Sequence, residues 1–291
     1  MIHGIRVEDG KALWYKNKFV TSPFGFGPNT HVLKHGEKIY ALVEGGVSPV
    51  IMDSEMNFLE DEPFPAADNK RFTAHPKIDS DTGEMHAVSY DFGEYVNGLG
   101  QVHYVTIDSN GKLIKDQIIE TPSRPMVHDC AITKNYVLIF DLPVTFNLGR
   151  RDDDNNPIGG DYPVIWNDKH TSRVGLQNKK TDEIIWIEVN PGFLFHIVNS
   201  YEDKNGKVVL DFCRYERLFD FDNPLPMGQK PFLTRWILDP KAKTCSEEML
   251  DDRPMEFSRV HPDYDGKQHR FGYLLNDGRL NNYFKHDFEK S

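Results

Sequence analysis

The 291-residue sequence lacks the features of a membrane-spanning or disulfide-bonded protein. No apolar run approaches the roughly 18–20 residues that a helix needs to cross a bilayer. Residues 1–10 lack the basic segment and following apolar segment of a secretory signal, so we expect none. The three cysteines, Cys130, Cys213 and Cys245, are far apart and form no CxxC pair, which excludes the common zinc and redox motifs. We therefore expect reduced thiols in a cytoplasmic protein.

Positive charge is also scarce. Lys and Arg number 34 against 45 Asp and Glu, so the net charge is −11 with neutral histidine. This balance is unfavourable for binding nucleic acid phosphates, and it argues against binding to anionic lipid by charge alone. Hydrophobic residues at 38% and aromatic residues at 12% are enough for a folded core, which excludes a disordered chain.

Helical periodicity is missing, because no segment repeats apolar residues every 3.6 positions for three turns. Short runs rich in Val, Ile, Tyr, Phe and Trp instead recur along the chain and indicate strands. They lie at 38–44, 84–92, 102–108, 136–142, 184–189, 208–213 and 234–238. Glycine-ending turn sequences follow several of them, at 79–83, 108–111, 203–206 and 276–278. Recurring hairpins predict an all-β fold and favour propeller blades over a two-sheet sandwich.

Three of the 12 histidines, His75, His128 and His196, lie among apolar residues at the edges of predicted strands. They are 53 and 68 residues apart, which excludes a helical HxxxH site and the short-loop zinc motifs. The spacing suits a metal site to which separate strands or blades each contribute one imidazole. The alternative for each is a histidine packed in the core with its ring nitrogens hydrogen-bonded.

Two glutamates stand out in a similar way. Glu44 ends a predicted strand just before two glycines, and Glu256 lies between apolar residues. Each is either a surface acid at a strand end or a buried acceptor for the free N–H of a metal-bound histidine.

The sequence at these positions resembles the carotenoid cleavage oxygenases, a family that includes apocarotenoid cleavers, stilbene cleavers and the retinoid isomerase of the eye. The resemblance runs in order nearly from end to end. It covers blocks at 2–10, 29–30, 41–46, 74–83, 127–136, 141–143, 195–203, 256–260 and 269–273. It implies a seven-bladed β-propeller with Fe²⁺ on its axis, held by four histidines from four blades.

By this resemblance, His75, His128 and His196 are three of the four iron ligands. Glu44 and Glu256 match two of the three glutamates that orient such ligands. The blocks that hold the third glutamate and the fourth histidine have no counterpart, and the segment of His286 matches a non-ligand position. We therefore expect residues 1–291 to form a single incomplete propeller domain, either as a fragment of a longer protein or as a short protein with an open site.

The resemblance implies an enzyme that uses Fe²⁺ and O₂ to cleave a carbon–carbon double bond into two carbonyl products. Stilbene cleavers that recognise a phenol resemble each other in having Lys and Tyr at two positions that are Val43 and Phe19 in this sequence. The resemblance therefore favours an apolar polyene over a hydroxystilbene as substrate. Four phenylalanines are candidates for lining an apolar tunnel, with core packing as the alternative: Phe24, Phe26, Phe146 and Phe193.

Other outcomes stay open at this point. An incomplete propeller could bind an apolar ligand without cleaving it, or it could be a structural propeller with a vestigial iron site. Stilbene-type cleavage is the competing reaction. We expect no nucleic acid partner. Members of the family often take their substrates from membranes, so the resemblance also implies peripheral membrane contact.

Overall fold

The computed structural model describes residues 1–20, 27–45, 48–61, 72–90, 101–146, 163–220, 229–276 and 282–290. In these ranges the chain forms 22 strands, one 3-10 turn at Pro262–Tyr264 and no α-helix. The described residues contain no helix long and apolar enough to span a membrane. The prediction of an all-β protein is confirmed.

The strands form antiparallel sheets whose strands mostly follow one another in chain order. A hairpin comes first, made of β1 (Ile2–Glu8) and β2 (Lys11–Lys18). The first four-stranded sheet contains β3 (His31–His35), β4 (Lys38–Leu42), β5 (Val50–Met52) and β6 (Phe58–Asp61). The second contains β7 (Lys77–Ile78), β8 (Met85–Tyr90), β9 (Val102–Ile107) and β10 (Leu113–Ile119).

The third sheet contains β11 (Ala131–Ile132), β12 (Tyr136–Asp141), β15 (Arg173–Asn178) and β16 (Ile184–Glu188). A separate hairpin of β13 (Val144–Phe146) and β14 (Val164–Trp166) lies between β12 and β15 in the chain. The last sheet contains β17 (Phe193–Glu202), β18 (Val208–Tyr215), β19 (Phe232–Asp239), β20 (Thr244–Arg259), β21 (Phe271–Asn276) and β22 (Tyr283–Asp287).

Strand β20 belongs to two units of the fold. Its residues up to Pro254 pair with β19, and its residues from Met255 onwards pair with β21. The first half therefore completes a four-stranded meander with β17, β18 and β19, and the second half is the first strand of the next sheet. The described residues thus contain four meanders of the blade type.

Three of the four predicted turns lie in the described residues and form as expected. In the turn between β9 and β10, the Asp108 carboxylate accepts hydrogen bonds from the backbone N–H groups of Asn110 and Lys112. Gly111 takes a positive φ of 83°, which side-chain-bearing residues rarely adopt. Equivalent turns at 79–83 and 203–206 join β7 to β8 and β17 to β18. The turn predicted at 276–278 lies mostly outside the described residues.

The largest hydrophobic cluster joins the second, third and fourth meanders. It includes fully buried residues of each, such as Tyr104, Phe140 and Phe212. The first strands of these meanders are β7, β11 and β17, and β11 contacts β17 directly. Packing of the three meanders in one core brings residues near the beginnings of these strands together.

Candidate metal centre

The three histidines predicted from the sequence meet at one point. His75 and His128 lie just before β7 and β11, and His196 lies near the start of β17. One potential ligand atom from each ring lies within 4.8 Å of the others. The ring centroid of His75 lies 4.6 Å from that of His128 and 5.1 Å from that of His196. Three consecutive blades therefore each place one imidazole at a common site that could hold a metal ion.

Both predicted glutamates contact these rings. Glu44 Oε2 lies 2.8 Å from His128 Nδ1, and Glu256 Oε2 lies 2.6 Å from His196 Nδ1. The Tyr90 hydroxyl donates a further hydrogen bond of 2.9 Å to Glu44 Oε2. A carboxylate at Nδ1 favours the tautomer with its proton on Nδ1, which leaves Nε2 as the free donor for a metal.

The third ring, His75, has a different environment. Its side chain is buried, and neither ring nitrogen has a hydrogen-bond partner among the described residues. His128 Nε2 is likewise buried without a partner in that part of the chain. Buried polar atoms without partners cost roughly 1–3 kcal/mol each, and a metal ion would satisfy them. The donor set therefore fits a transition metal ion that binds imidazole nitrogen.

The electrostatics of the site keep His75 in the form that binds metals. Burial, with smaller contributions from the neighbouring His128 and His196, lowers the pKa of His75 to about 2 in spite of the opposing charge of Asp129. Burial alone would also lower the pKa of His128, but the hydrogen bond and charge of Glu44 outweigh it and raise this pKa. His75 is thus neutral near pH 7, as a ligand must be.

Two aromatic side chains pack against two of the rings. Phe195 packs edge-on against His128, with centroids 5.1 Å apart, and Phe257 lies 4.9 Å from His196. The sequence did not single out these two as site residues, although both adjoin a predicted ligand or carboxylate.

The phenylalanines suggested for a tunnel are placed differently. Phe146 and Phe193 are buried in the largest core cluster, so the structure favours the packing alternative for both. Phe24 and Phe26 lie outside the described residues. Of the two positions used to judge the substrate, Val43 is partly buried and Phe19 is exposed.

A buried ion pair lies behind the histidines. Lys77 Nζ is 3.0 Å from Asp129 Oδ1, and the two side chains are 9% and 1% exposed. Burial raises the pKa of Asp129, but Lys77 and the nearby histidines lower it to about 2 overall. Burial likewise opposes the charge of Lys77, yet Asp129 raises its pKa. Sequence reasoning missed this pair, although an aspartate between Val127 and Ala131 is a charge in an apolar run.

A cleft of about 640 Å³ opens beside the centre. Its walls include Lys77, Ile197 and Arg259, which follow His75, His196 and Glu256 in the chain. His31 also lines it, with its ring 6.3 Å from that of His75 and its Nδ1 hydrogen-bonded to the Ala74 carbonyl at 2.9 Å. The cleft therefore borders the segments that carry His75, His196 and Glu256, although none of these three side chains lines it.

A model of the family described as retinal pigment epithelial membrane protein matches residues 26–291. The chain is 32% identical to the carotenoid cleavage oxygenase of Mycobacterium tuberculosis, over 94% of this chain and 66% of the relative. The chain belongs to the carotenoid cleavage oxygenase family. It is also 29% identical to the apocarotenoid-15,15'-oxygenase of Synechocystis, over 84% of this chain and 52% of the relative. It is 28% identical to resveratrol cleavage oxygenase 1 of Chaetomium globosum, over 88% of this chain and 48% of the relative.

Solved structures agree with this family assignment. The lignostilbene dioxygenase of Pseudomonas brassicacearum superposes with a TM-score of 0.73 at 28% identity, covering 88% of this chain and 54% of that one. A mutant of the Synechocystis apocarotenoid oxygenase superposes with a TM-score of 0.71 at 25% identity, covering 91% of this chain and 58% of that one. The chain spans about half to two thirds of the length of these relatives. The prediction of an incomplete propeller of this family is confirmed.

Proposed function

We propose that this oxygenase-family chain carries three iron ligands of a non-haem Fe²⁺ dioxygenase that cleaves a double bond of a carotenoid or apocarotenoid. The observation that carries the proposal is the meeting of His75, His128 and His196, with the Nδ1 atoms of two rings facing carboxylates. The reaction would consume O₂ and yield two carbonyl products. Peripheral contact with a membrane, as a source of the apolar substrate, stays a prediction.

The choice of Fe²⁺ rests on donor chemistry and family. Imidazole nitrogens suit iron, zinc, copper and nickel alike. Zn²⁺ has no redox chemistry, whereas an oxygenase needs an ion that can activate O₂. Bound Fe²⁺ would supply that activation, and the three histidines would hold it.

The other residues of the centre act on the ligands and on the substrate space. Glu44 and Glu256 hold the Nδ1 protons of His128 and His196, so the rings stay oriented with Nε2 inward. Their charges also lie close to a ligand set that is itself neutral. Tyr90 fixes the Glu44 carboxylate by its hydrogen bond. Phe195 and Phe257 cover the sides of the rings and would keep water from them.

A polyene substrate fits the side chains near the centre better than a phenol does. Val43, next to Glu44, offers no hydrogen bond, and Phe195 and Phe257 present apolar surfaces. Hydroxystilbene is the competing substrate, because two of the similar proteins are named for resveratrol and lignostilbene.

The test is an assay of the Fe²⁺-loaded chain with an apocarotenal or a hydroxystilbene under O₂, with carbonyl fragments separated by chromatography. Cleavage of the apocarotenal that is lost in His128→Ala would support the proposal. The control His103→Ala alters a histidine that pairs with Asp116 outside the centre, so activity should persist. Cleavage of the hydroxystilbene alone would overturn the substrate assignment. Bound iron with no cleavage of either compound would favour a binding propeller.

A further inference from the structure

One carboxylate connects the backbone segments that carry all three histidines. Asp129 directly follows His128. Its Oδ1 lies 3.0 Å from Nζ of Lys77, two residues after His75. Its Oδ2 accepts a hydrogen bond of 3.2 Å from the backbone N–H of Ile197, the residue after His196. Asp129 Oδ1 also accepts from the N–H of Cys130 at 2.7 Å, which fixes the carboxylate in its own segment.

Stability alone does not explain such a pair. Removing two charges from water is expensive, and well-packed apolar residues in place of a buried ion pair are often neutral or stabilising. The pair between Asp211 and Arg235 shows the more local arrangement. Its contacts of 2.7 and 3.0 Å join directly opposed residues of the adjacent strands β18 and β19. The Lys77–Asp129 pair instead joins two meanders, and the hydrogen bond from the Ile197 N–H connects Asp129 to a third.

This link bears directly on the segment of His75. The Nδ1 atoms of His128 and His196 face Glu44 and Glu256, but the ring of His75 has no carboxylate partner among the described residues. Two of the contacts that hold its segment are the Lys77–Asp129 pair and the 3.7 Å contact between the His75 carbonyl and Sγ of Cys130. Both contacts lead to the segment of His128.

We propose that Asp129, paired with Lys77, is a positioning residue that sets the relative placement of the three histidines for metal binding. The inference rests on the proposed function, because placement matters only if the histidines bind a metal together. Metal sites require ligand distances to within about 0.2 Å, and changes outside the ligands typically cost 10–100-fold in affinity. Asp129 would act on the backbone of the ligand segments, whereas Glu44 and Glu256 act on single rings.

The experiment compares metal binding by the full chain and its variants, with Co²⁺ as the probe. Asp129→Asn keeps the shape of the side chain but leaves Lys77 as an unpaired buried charge, which can prevent folding. The double variant Lys77→Met with Asp129→Asn removes both charges together. The matched control is Arg235→Met with Asp211→Asn, which removes the buried pair between β18 and β19. Each protein is titrated with Co²⁺, its visible Co²⁺ spectrum is recorded, and its thermal midpoint is measured in EDTA.

We expect the Lys77/Asp129 double variant to bind Co²⁺ about 10–100-fold more weakly than wild type and to shift the Co²⁺ absorption bands. The control should lower the thermal midpoint while keeping wild-type affinity and spectrum. Binding within twofold of wild type with an unchanged spectrum would overturn the inference, as would an equal loss of affinity in the control. A wild-type chain that binds no Co²⁺ would instead overturn the proposed function, and the inference with it.

Discussion

The histidine rings of the centre differ in what holds them. His196 and His128 each have a carboxylate at Nδ1, and in both cases the glutamate comes from another segment of the chain. Glu256 Oε2 also accepts from the backbone N–H of Phe257, so this carboxylate is itself fixed. A charged acceptor raises the basicity of the ring and holds its orientation, and both effects strengthen metal binding.

Glu256→Gln tests this role at a single residue. The amide keeps the shape of the side chain but loses its charge, so we expect metal affinity to fall about tenfold or more. Titration of the metal-free chain with Fe²⁺ under anaerobic conditions measures the change. Glu202→Gln is the control. Its carboxylate binds Thr133 and Asn135, so that variant should lose stability and keep its affinity. Equal affinity in Glu256→Gln and wild type would contradict the role.

Two buried histidines outside the centre make stability depend on pH. Burial lowers the pKa of His86 to about 3 and that of His269 to about 4, against roughly 6.5 in the unfolded chain. The unfolded state therefore binds protons first as the pH falls. The stabilisation is complete above about pH 6.5 and is lost progressively toward the folded pKa values. The slope approaches about 1.4 kcal/mol per pH unit for each histidine.

Urea unfolding at pH 7, 6 and 5 in EDTA checks this expectation. His86→Asn removes one titrating group and can keep a hydrogen bond to the Tyr104 hydroxyl, which lies 2.9 Å from His86 Nδ1. Its unfolding free energy should fall less steeply with pH than that of wild type. Parallel curves for the two proteins would show that His86 does not contribute to the pH dependence.

Strand β20 contributes two residues to the centre through a local irregularity. Its pairing with β21 shifts register between Glu256 and Arg259, and Phe257 takes a positive φ of 54°. Such a bulge bends a strand and redirects its side chains. Here Glu256 contacts His196, and Phe257 packs against the same ring.

The pairing of β15 with β16 depends on a glycine. Gly175 lies opposite Trp186, and a Cβ atom at Gly175 would come within 2.8 Å of the Trp186 ring. Gly175→Ala should therefore destabilise the chain by about 1–3 kcal/mol, because the ring must move from its place. Chemical denaturation gives the value. Adding Trp186→Leu to Gly175→Ala should recover part of the loss, and no recovery would place the strain elsewhere.

The sequence predicted the strands best where apolar, β-branched and aromatic residues concentrate. The seven predicted runs match β4, β8, β9, β12, β16, β18 and β19 to within two residues at each end. The length of β20 was missed, because acidic residues such as Glu247, Glu248 and Asp252 interrupt its apolar pattern. Local composition does not report that its two halves pair with different neighbours.

For the site, local sequence marked the three histidines and two glutamates, and the resemblance to the family suggested their roles. The contacts of Asp129 could not be predicted. They join Lys77 and Ile197, which are 52 and 68 residues away in the chain. Such contacts depend on how the blades pack, and no local pattern encodes that. The phenylalanines proposed for a tunnel show the same limit, since an apolar residue of the core and one of a cavity wall look alike in sequence.

Across the whole molecule, the centre lies where three meanders pack together. The hydrophobic cluster that joins them contains Tyr104, Phe140 and Phe212. A metal ion held by one histidine from each meander would connect the same three units a second time. Metal binding and folding should therefore be coupled, because the unfolded chain does not hold the three rings together.

Removing the metal tests this coupling. At a free metal concentration about 100 times the dissociation constant, binding to the folded state alone adds roughly 2.7 kcal/mol. We expect EDTA to lower the thermal midpoint of the metal-loaded chain. In His75→Ala, EDTA should have little effect, whereas His103→Ala should respond as wild type does. If neither metal nor EDTA changes the thermal midpoint of wild type, the meanders are not coupled through the centre.

The most direct test of the three-histidine iron centre is an anaerobic titration of the purified chain with Fe²⁺, in parallel with His128→Ala. We expect one Fe²⁺ per wild-type chain and at least tenfold weaker binding in the variant, which loses one of three ligands and the partner of Glu44. Wild-type binding that is unchanged in His128→Ala, or no binding by wild type at all, would contradict this expectation.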